Sequence, residues 1–417
     1  MREMKDSGIA WVGDVPSNWD VHPLYYFFQE HKHKNALGTE QNLLSLSYGK
    51  IIRKDINTTE GLLPENFNTY NIIEEKDIVL RLTDLQNDKR SLRTGIARER
   101  GIITSAYVTL RSVRSLCPSY FHYLLHTYDL LKVLYNMGSG VRQGLNYEEL
   151  SKVKLIEPPL DEQQKIAIFL DDKCGKIDSL IADIQAQIDI LEQFKRSQIT
   201  KAVTKGLTPD TGLKESGLAW IGNVPSHWKI MPNKYLMKKL KLIQPVYAGE
   251  DIISLTVNGV IKRDLDNPSG KMPASFDGYQ FVYPGNLLMC LFDIDVTPRC
   301  IGLIKDFGLT SPAYSQFVLN SKADAGYYYY YYLNLDFNKD LLHLAKNQRH
   351  SLNEEQFGAI PTVVPPIEEQ KAIAAYLDEK CAEIDGCIAA KKEQISTLEA
   401  YKKSVIFECV TGKKGVV

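Results

Sequence analysis

A 21-residue segment is present twice in this chain, as PPLDEQQKIAIFLDDKCGKID at residues 158–178 and as PPIEEQKAIAAYLDEKCAEID at residues 365–385. The copies lie 207 positions apart and share 12 residues. Each begins with two prolines followed by acidic residues, which favour the first turn of a helix. The repeat therefore predicts two helices that begin in the same way.

Apolar residues behind each proline pair recur in alternating steps of three and four, which is typical of a coiled-coil seam. A lone helix would expose such a stripe to water, so the two helices are expected to pack against each other. Since a large segment separates them, we predict an antiparallel coiled coil with one globular domain at each end. The predicted seam positions are Ala167, Leu170, Cys174, Ile177, Ile181, Ile184, Ile188 and Leu191 in the first copy, and Ala374, Leu377, Cys381, Ile384, Ile388, Ile395, Leu398 and Val405 in the second, with Lys391 as a polar interruption.

The globular parts are duplicated as well. SGIAWVGDVPSNW at residues 7–19 returns as SGLAWIGNVPSHW at residues 216–228, and short β-type runs bounded by turn residues follow both copies. Solenoid repeats have periods of about 20–50 residues, so this much longer period indicates duplication of a whole domain. We predict an α+β chain with pseudo-twofold symmetry. Two tandem mixed α/β domains are expected at residues 1–156 and 209–363, a central spacer helix at 157–208 and a C-terminal spacer helix at 364–417.

Charge and cysteine usage narrow the class of protein. The chain has 50 basic and 51 acidic residues, so no overall positive field draws it onto nucleic acid regardless of sequence. Its seven cysteines form no CxxC pair and no Cys/His cluster at zinc spacing, which predicts reduced thiols in a cytoplasmic protein and no metal site. Apolar runs are too short to cross a membrane, and the first residues lack the apolar stretch of a signal peptide.

Motifs for catalysis are missing or have a simpler explanation. GxxxxGK[ST] and GxGxxG are absent, so no nucleotide cofactor is expected. Glu157-Pro158-Pro159-Leu160 resembles the tetrapeptide of amino-methyltransferases, but its Glu and Leu flanks fit a helix start better than base binding. Asp171-Asp172-Lys173 resembles the acidic-x-Lys element of metal-dependent nucleases. It lies on the predicted seam helix, however, and has no partner acidic residue on a strand. The run Tyr327–Tyr332 predicts an aromatic core rather than a base-stacking platform. We therefore predict a non-catalytic chain without cofactors.

Basic residues cluster locally in both halves. From Arg81 to Arg114, eight basic residues stand against three acidic ones, and from Lys229 to Arg263 seven stand against two. Thr, Gln and Asn side chains, which can read base edges, lie among the first group. Such patches are usually solvated surface, but their presence on a duplicated chain predicts contact with DNA.

Together these features resemble the specificity subunit of type I restriction–modification enzymes. The resemblance rests on the duplicated Gly-x-Ala-Trp-x-Gly-x-Val-Pro-x-x-Trp motif at residues 8–19 and 217–228, on the duplicated Pro-Pro-x-x-Glu-Gln motif at 158–163 and 365–370, and on the helices behind it. It implies two target-recognition domains, each reading one half of a split, asymmetric site in double-stranded DNA. It also implies that the paired helices fix the gap and dock two modification (methyltransferase) subunits, with restriction (endonuclease/translocase) subunits added for cleavage. Methyl donor and ATP would bind those partners.

Comparison of the two copies sorts the candidate DNA contacts. Residues alike in both copies are expected to be scaffold or to contact phosphates, and residues that differ within the shared frame are expected to read bases. The predicted phosphate contacts are the pairs Arg53/Arg263, Arg90/Arg299 and Arg142/Arg349, with Lys262 in the same basic group. The predicted base contacts are Arg81, Gln86, Asn87 and Arg93 in the first domain, and Lys271, Asp295 and Thr297 in the second.

Two other functions remain open from the sequence. A coiled-coil adaptor with two protein-binding heads would share the fold but would have no salt-dependent affinity for DNA. A stand-alone nuclease or methyltransferase would turn over its substrate without partners. The missing nucleotide and methyl-donor motifs make this third hypothesis the weakest.

Overall fold

The computed structural model describes residues 2–57, 66–85, 92–137, 144–209, 211–268, 270, 272–345 and 349–416. The chain divides into two compact units. Unit 1 comprises Met1–Ile184 and Lys392–Val417, and unit 2 comprises Gln185–Lys391. Each unit therefore holds one of the two globular repeats together with parts of both long helices.

Both units mix helices and strands. The helices are α1 (Pro118–Leu130), α2 (Tyr147–Leu150), α3 (Leu160–Lys205), α4 (Ala325–Phe337), α5 (Glu354–Ala359) and α6 (Ile367–Val410). The strands of unit 1 are β1 (Met4–Asp6), β2 (Asp14–Pro16), β3 (Asp20–Pro23), β4 (Phe28–Glu30), β5 (Leu44–Ser47), β6 (Lys50–Arg53), β7 (Asn71–Ile73), β8 (Ile78–Leu80), β9 (Thr94–Ile96), β10 (Gly101–Ile103), β11 (Val108–Ser112) and β12 (Lys154–Glu157). The strands of unit 2 are β13 (Leu213–Glu215), β14 (Asn223–Pro225), β15 (Lys229–Pro232), β16 (Met237–Leu240), β17 (Ile253–Thr256), β18 (Gly259–Lys262), β19 (Gln280–Val282), β20 (Leu287–Met289), β21 (Ile301–Leu303), β22 (Gly308–Thr310), β23 (Ser315–Leu319) and β24 (Pro361–Val364).

The sheets of the two units have the same topology. Unit 1 has an antiparallel sheet in the order β4-β11-β8-β9 and the pairs β1-β2, β3-β12, β5-β6 and β7-β10. Unit 2 repeats this with the order β16-β23-β20-β21 and the pairs β13-β14, β15-β24, β17-β18 and β19-β22. The predicted fold class, two tandem mixed domains with long paired helices, is confirmed.

The duplicated Trp-containing motif forms the first hairpin of each unit. Gly8 and Gly13 have φ angles of 64° and 68°, and their counterparts Gly217 and Gly222 have 74° and 68°. Glycine adopts this left-handed conformation without the steric penalty of a Cβ atom. The hairpin leads to a tryptophan with no exposed surface, Trp19 in unit 1 and Trp228 in unit 2. The motif thus specifies a turn and a core anchor.

Helices α1 and α4 supply much of the aromatic core. Five of the six consecutive tyrosines of α4 are buried, namely Tyr327, Tyr328, Tyr330, Tyr331 and Tyr332. Burial raises the pKa of Tyr331 to about 12. These rings are packed inside unit 2 and are not available for stacking on bases, as the sequence predicted.

The long helices run antiparallel within each unit. In unit 2, Lys391 donates to Gln187 at 2.6 Å and Lys195 to Asp385 at 2.6 Å, so residue numbers rise along α3 as they fall along α6. In unit 1, Lys402 Nζ lies 2.5 Å from Asp178 Oδ1. This ion pair is the counterpart of Lys195–Asp385.

Most predicted seam positions lie on the buried side of the helices. Buried members are Ala167, Leu170, Cys174, Ile177 and Ile184 in unit 1, with Val405 from α6, and Ile188, Ala374, Leu377, Cys381, Ile384 and Ile388 in unit 2. Half-buried members are Ile181, Leu191, Ile395 and Leu398. Among the residues described, no helix is long and apolar enough to cross a membrane.

Candidate nucleic-acid interface

Three segments of unit 2 converge on one surface, which we call the loop face of unit 2 (residues 256–259, 290–300 and 349–353). The β20-β21 loop contacts the β17-β18 turn, since Arg299 Nη1 donates to the Val257 carbonyl at 3.2 Å. The same loop contacts the segment before α5, where Asp293 N donates to the Arg349 carbonyl at 3.0 Å. The three segments therefore form a continuous surface.

Unit 1 has the equivalent loop face, whose described parts are residues 47–50, 81–85, 92–93 and 144–146. Leu145 N donates to the Leu82 carbonyl at 2.9 Å, as Leu352 does to Leu291 in unit 2 at 2.8 Å. The β5-β6 turn packs on the loop, because a Cβ atom at Gly49 would lie 3.2 Å from the Leu92 Cβ.

A buried aspartate holds the root of each loop. Asp129 of α1 accepts a hydrogen bond from the Arg93 amide at 2.6 Å, and Asp336 of α4 accepts one from the Cys300 amide at 2.8 Å. Burial raises the pKa of Asp129, although the Arg93 amide opposes this effect. Both loops are thus fixed to the helix beneath them through a main-chain N–H group.

The structure corrects the role predicted for Arg93. Its side chain is only 1% exposed. The guanidinium donates to the carbonyls of Thr83 at 2.7 Å, Asp84 at 3.1 Å and Arg81 at 3.2 Å, and to the Tyr135 hydroxyl at 2.8 Å. The prediction that Arg93 reads a base is therefore wrong, because its donors bind the loop from inside.

Strand register also corrects two predicted pairings of residues. Leu44 pairs with Arg53 in one hairpin and Ile253 pairs with Lys262 in the other, so Arg53 corresponds to Lys262 and not to Arg263. The β8-β9 and β20-β21 pairs align Thr94 with Ile301. Two residues earlier, Arg299 therefore corresponds to Leu92 and not to Arg90.

The predicted hairpin cations have acidic partners. Arg53 is exposed and its Nε donates to Glu99 Oε1 at 2.7 Å, while Lys262 Nζ lies 2.6 Å from Asp251 Oδ2. The hydrogen bond from Arg53 lowers the pKa of Glu99. Arg263 is half-buried beside this hairpin. Any phosphate that binds the hairpin would therefore compete with a carboxylate.

Other predicted contacts lie on the two loop faces. Arg81 is half-buried at the start of its loop, and Arg349 is exposed. Asp295 is exposed and lies 3.9 Å from His350 Nε2. The Thr297 carbonyl accepts a hydrogen bond from Lys339 at 2.6 Å. Five predicted contacts lie outside the described residues, namely Gln86, Asn87, Arg90, Arg142 and Lys271.

Two histidines of α1 lie behind the loop face of unit 1. His126 Nδ1 is 3.4 Å from Thr94 Oγ1, next to the root of the loop. Burial lowers the pKa of His122 to about 4 and that of His126 to about 3. Both are therefore neutral at pH 7 and add no positive charge to this surface.

Contacts between each globular repeat and the helices involve residues that we had not singled out. The indole N–H of Trp19 donates to Glu162 Oε2 at 3.0 Å, and that of Trp228 donates to Glu369 Oε1 at 3.0 Å. Both glutamates belong to the duplicated Pro-Pro-x-x-Glu-Gln motif. Their identity in the two copies was the signal that marked them as scaffold.

The glutamine of the same motif makes a second attachment. Gln163 Oε1 accepts a hydrogen bond from the Cys117 amide at 2.9 Å, just before α1. Gln370 Oε1 likewise accepts one from the Asp324 amide at 2.8 Å, just before α4. Each long helix is thus joined at its start to two places in the adjoining repeat.

Each repeat also holds the end of the other long helix within its unit. The Tyr120 hydroxyl donates to the Val410 carbonyl at 2.9 Å, and the Tyr327 hydroxyl donates to the Val203 carbonyl at 3.2 Å. These bonds use carbonyls at helix ends, which lack partners inside the helix. The start of one helix and the end of the other are therefore both fixed to the same globular repeat.

Replacement of Glu162 by alanine is expected to lower the free energy of unfolding by about 1–3 kcal/mol, because the buried indole N–H of Trp19 loses its acceptor. Glu369→Ala should have a similar effect through Trp228. Denaturant unfolding would measure both. The exposed neighbour Gln164 provides a control, since Gln164→Ala should change stability by no more than about 0.5 kcal/mol. An equally small loss in Glu162→Ala would contradict the proposed anchoring role.

The chain is similar in sequence and in fold to known proteins of one kind. The model described as the type I restriction modification DNA specificity domain matches residues 16–190. The type I restriction enzyme MjaVIII specificity subunit of Methanocaldococcus jannaschii is 26% identical over 423 residues, covering 96% of this chain and 93% of the relative. A solved chain from work on complex assembly and conformational transition of the type I R-M system has a TM-score of 0.64 at 12% identity, covering 96% of this chain and 99% of that one, which supports the fold. The family model, the curated relative and the shared fold together support a specificity subunit of a type I restriction–modification system.

Proposed function

We propose that this specificity subunit is a non-catalytic DNA-reading protein in which each unit reads one half of a bipartite, asymmetric site. The observation that carries this proposal is the combination of identical support and different loop chemistry. Both loops are held by an aspartate and a main-chain amide, yet the half-buried Arg81 of unit 1 stands where unit 2 has the buried Cys290. Loops that share a frame but differ in side chains suit two different half-sites.

The loop faces supply the groups for this reading. We assign Arg81 to a base in the first half-site, and Asp295 and Thr297 to bases in the second. Arg349 is assigned to a phosphate, because an exposed guanidinium suits a diester oxygen. The hairpin cations Arg53 and Lys262, with Arg263 and Arg299, are assigned to nearby phosphates. Gln86, Asn87, Arg90, Arg142 and Lys271 keep the roles predicted from the sequence.

The paired helices are proposed to set the gap between half-sites and to dock two modification subunits, to which restriction subunits are added. Large apolar side chains exposed on α3 support docking. They are Ile168 and Leu180 in unit 1 and Ile190 and Phe194 in unit 2. We propose target-recognition domains at residues 1–156 and 209–363, with spacers at 157–208 and 364–417.

Methylation profiling of host DNA, followed by binding of the assembled complex to the split sequence it displays, tests this function. Replacement of either half-site should abolish tight binding, and log affinity should fall linearly with log salt concentration. Affinity for DNA that does not depend on salt or on either half-site would favour the adaptor with two protein-binding heads.

Arg81→Ala is expected to relax recognition at one base position of one half-site, at a cost of about 1–3 kcal/mol there. Binding to duplexes mutated singly at each position would measure this. Arg349→Ala is the matched control, since loss of a phosphate contact should weaken binding to all sequences and reduce the salt slope by about one. Equal losses on every sequence for Arg81→Ala would rule out base reading by this residue.

A further inference from the structure

The turn between β5 and β6 has an unusual residue at its tip. Ser47 pairs with Lys50, so Tyr48 and Gly49 form a two-residue hairpin loop. Their φ angles are 44° and 78°, and both residues are therefore left-handed. Turns of this kind favour Asn-Gly, because an amide side chain tolerates positive φ far better than a bulky residue does. Tyrosine is thus a poor choice for the backbone at this position.

Packing within unit 1 does not explain why a tyrosine occupies position 48 either. The side chain is 83% exposed, so the ring gains little from burial within unit 1. Unfavourable backbone conformations of this kind tend to occur at functional sites. An aromatic ring that contributes neither to turn formation nor to the core indicates contact with another molecule.

Unit 2 has an apolar side chain at the same place. Thr256 pairs with Gly259, which puts Val257 at the position of Tyr48. Val257 is 61% exposed, although a branched apolar residue is an uncommon choice at a turn. The two turns therefore share an exposed apolar tip but differ in its shape.

Both tips belong to the loop faces. The Val257 carbonyl accepts a hydrogen bond from Arg299, and Gly49 lies against Leu92, the counterpart of Arg299. One exposed lysine lies near each tip, Lys50 in unit 1 and Lys262 in unit 2, and each is paired with an aspartate, Asp178 at 3.5 Å and Asp251 at 2.6 Å. DNA matches such a tip, because its bases present apolar groups and its phosphates can replace the aspartates as partners of the lysines.

We propose that Tyr48 and Val257 each contact the C5-methyl group of a thymine in the major groove, one in each half-site. This inference rests on the proposed DNA-reading function and adds a residue of known chemistry to each loop face. Apolar side chains recognise thymine through its methyl group, which no other standard base of DNA presents. The phenol ring of Tyr48 and the isopropyl group of Val257 differ in length. They would therefore reach thymines at different depths in the major groove, which suits two different half-sites.

Replacement of single thymines by deoxyuridine tests the proposal, because only the methyl group is removed. In the assembled complex, one such replacement in the half-site of unit 1 should weaken binding by about fourfold, the value of one buried methyl group. In Tyr48→Asn that replacement should have no effect. The same variant should raise Tm by about 2 °C, since asparagine suits the turn. Val257→Asn should remove a deoxyuridine effect in the other half-site only, because it replaces the apolar tip by an amide.

Leu37→Asn is the matched control, because Leu37 is an exposed apolar residue of unit 1 outside the loop face. It should leave every deoxyuridine effect unchanged. If wild-type protein binds no split site, the proposed function itself fails. If it binds one but deoxyuridine has no effect at any position, if Tyr48→Asn keeps the effect, or if the half-sites contain no thymine, the hairpin proposal is overturned and the function stands.

Discussion

Arg93→Met is expected to lower the free energy of unfolding by about 3–5 kcal/mol, the largest loss we predict for a single substitution. Methionine fills much of the volume of the arginine stem but donates no hydrogen bonds. The carbonyls of Arg81, Thr83 and Asp84 would then lose a buried donor, as would the Tyr135 hydroxyl. Chemical denaturation of the purified chain would measure the loss.

Cys300→Ala is the matched control in unit 2, since Cys300 donates its amide to Asp336 as Arg93 does to Asp129. Burial raises the pKa of the Cys300 thiol to about 12, so this side chain is neutral and carries no comparable set of strong hydrogen bonds. We expect a loss of about 1 kcal/mol. Similar losses in both variants would show that the Arg93 guanidinium does not support its loop.

Insertion of one heptad into each long helix is expected to widen the gap in the target while both half-sequences stay the same. The insertions belong after Ile184 in α3 and after Lys391 in α6, where the two units divide. Seven residues add about 10.5 Å of helix, which corresponds to about three base pairs of DNA. A whole heptad keeps the apolar seam in register. Methylation profiling would display the new gap directly.

Replacement of an existing heptad by another apolar-matched heptad is the control, and it should leave the gap unchanged. An insertion in α3 alone should impair the protein, because the seam positions of the two helices would no longer match. An unchanged gap in the double insertion would refute the measuring role of the helices and leave the base-reading role untouched.

The helices and the duplicated topology could be predicted because their signals are local. Seam residues recur at fixed short spacing, and the paired glycines of the Trp motif specify the same hairpin twice. The hydrogen bonds from Trp19 to Glu162 and from Trp228 to Glu369 also had a signal in the sequence, since all four residues stand in duplicated motifs. These patterns need no knowledge of which distant residues meet.

Residue equivalence inside the loops could not be predicted in the same way. Leu80 and Met289 are 209 positions apart, whereas Thr94 and Ile301 are 207 apart, so the β8-β9 loop is two residues longer than its counterpart. Identical residues in the two copies do not show where such a difference in loop length lies. The pairing of the flanking strands does show it. The burial of Arg93 was hidden for another reason. Its acceptors are mostly main-chain carbonyls, which have no signature in the sequence.

The grip of Asp129 and Asp336 on main-chain amides has a consequence for how new specificities arise. Every residue except proline offers the same N–H group at the gripped position. This hydrogen bond therefore places almost no restriction on the side chains of the loop. We therefore expect that one loop can replace the other, or the loop of a relative, without a change in the helix that supports it. Proline is the one residue that should not be tolerated at the position of Arg93 or Cys300, because it has no N–H group.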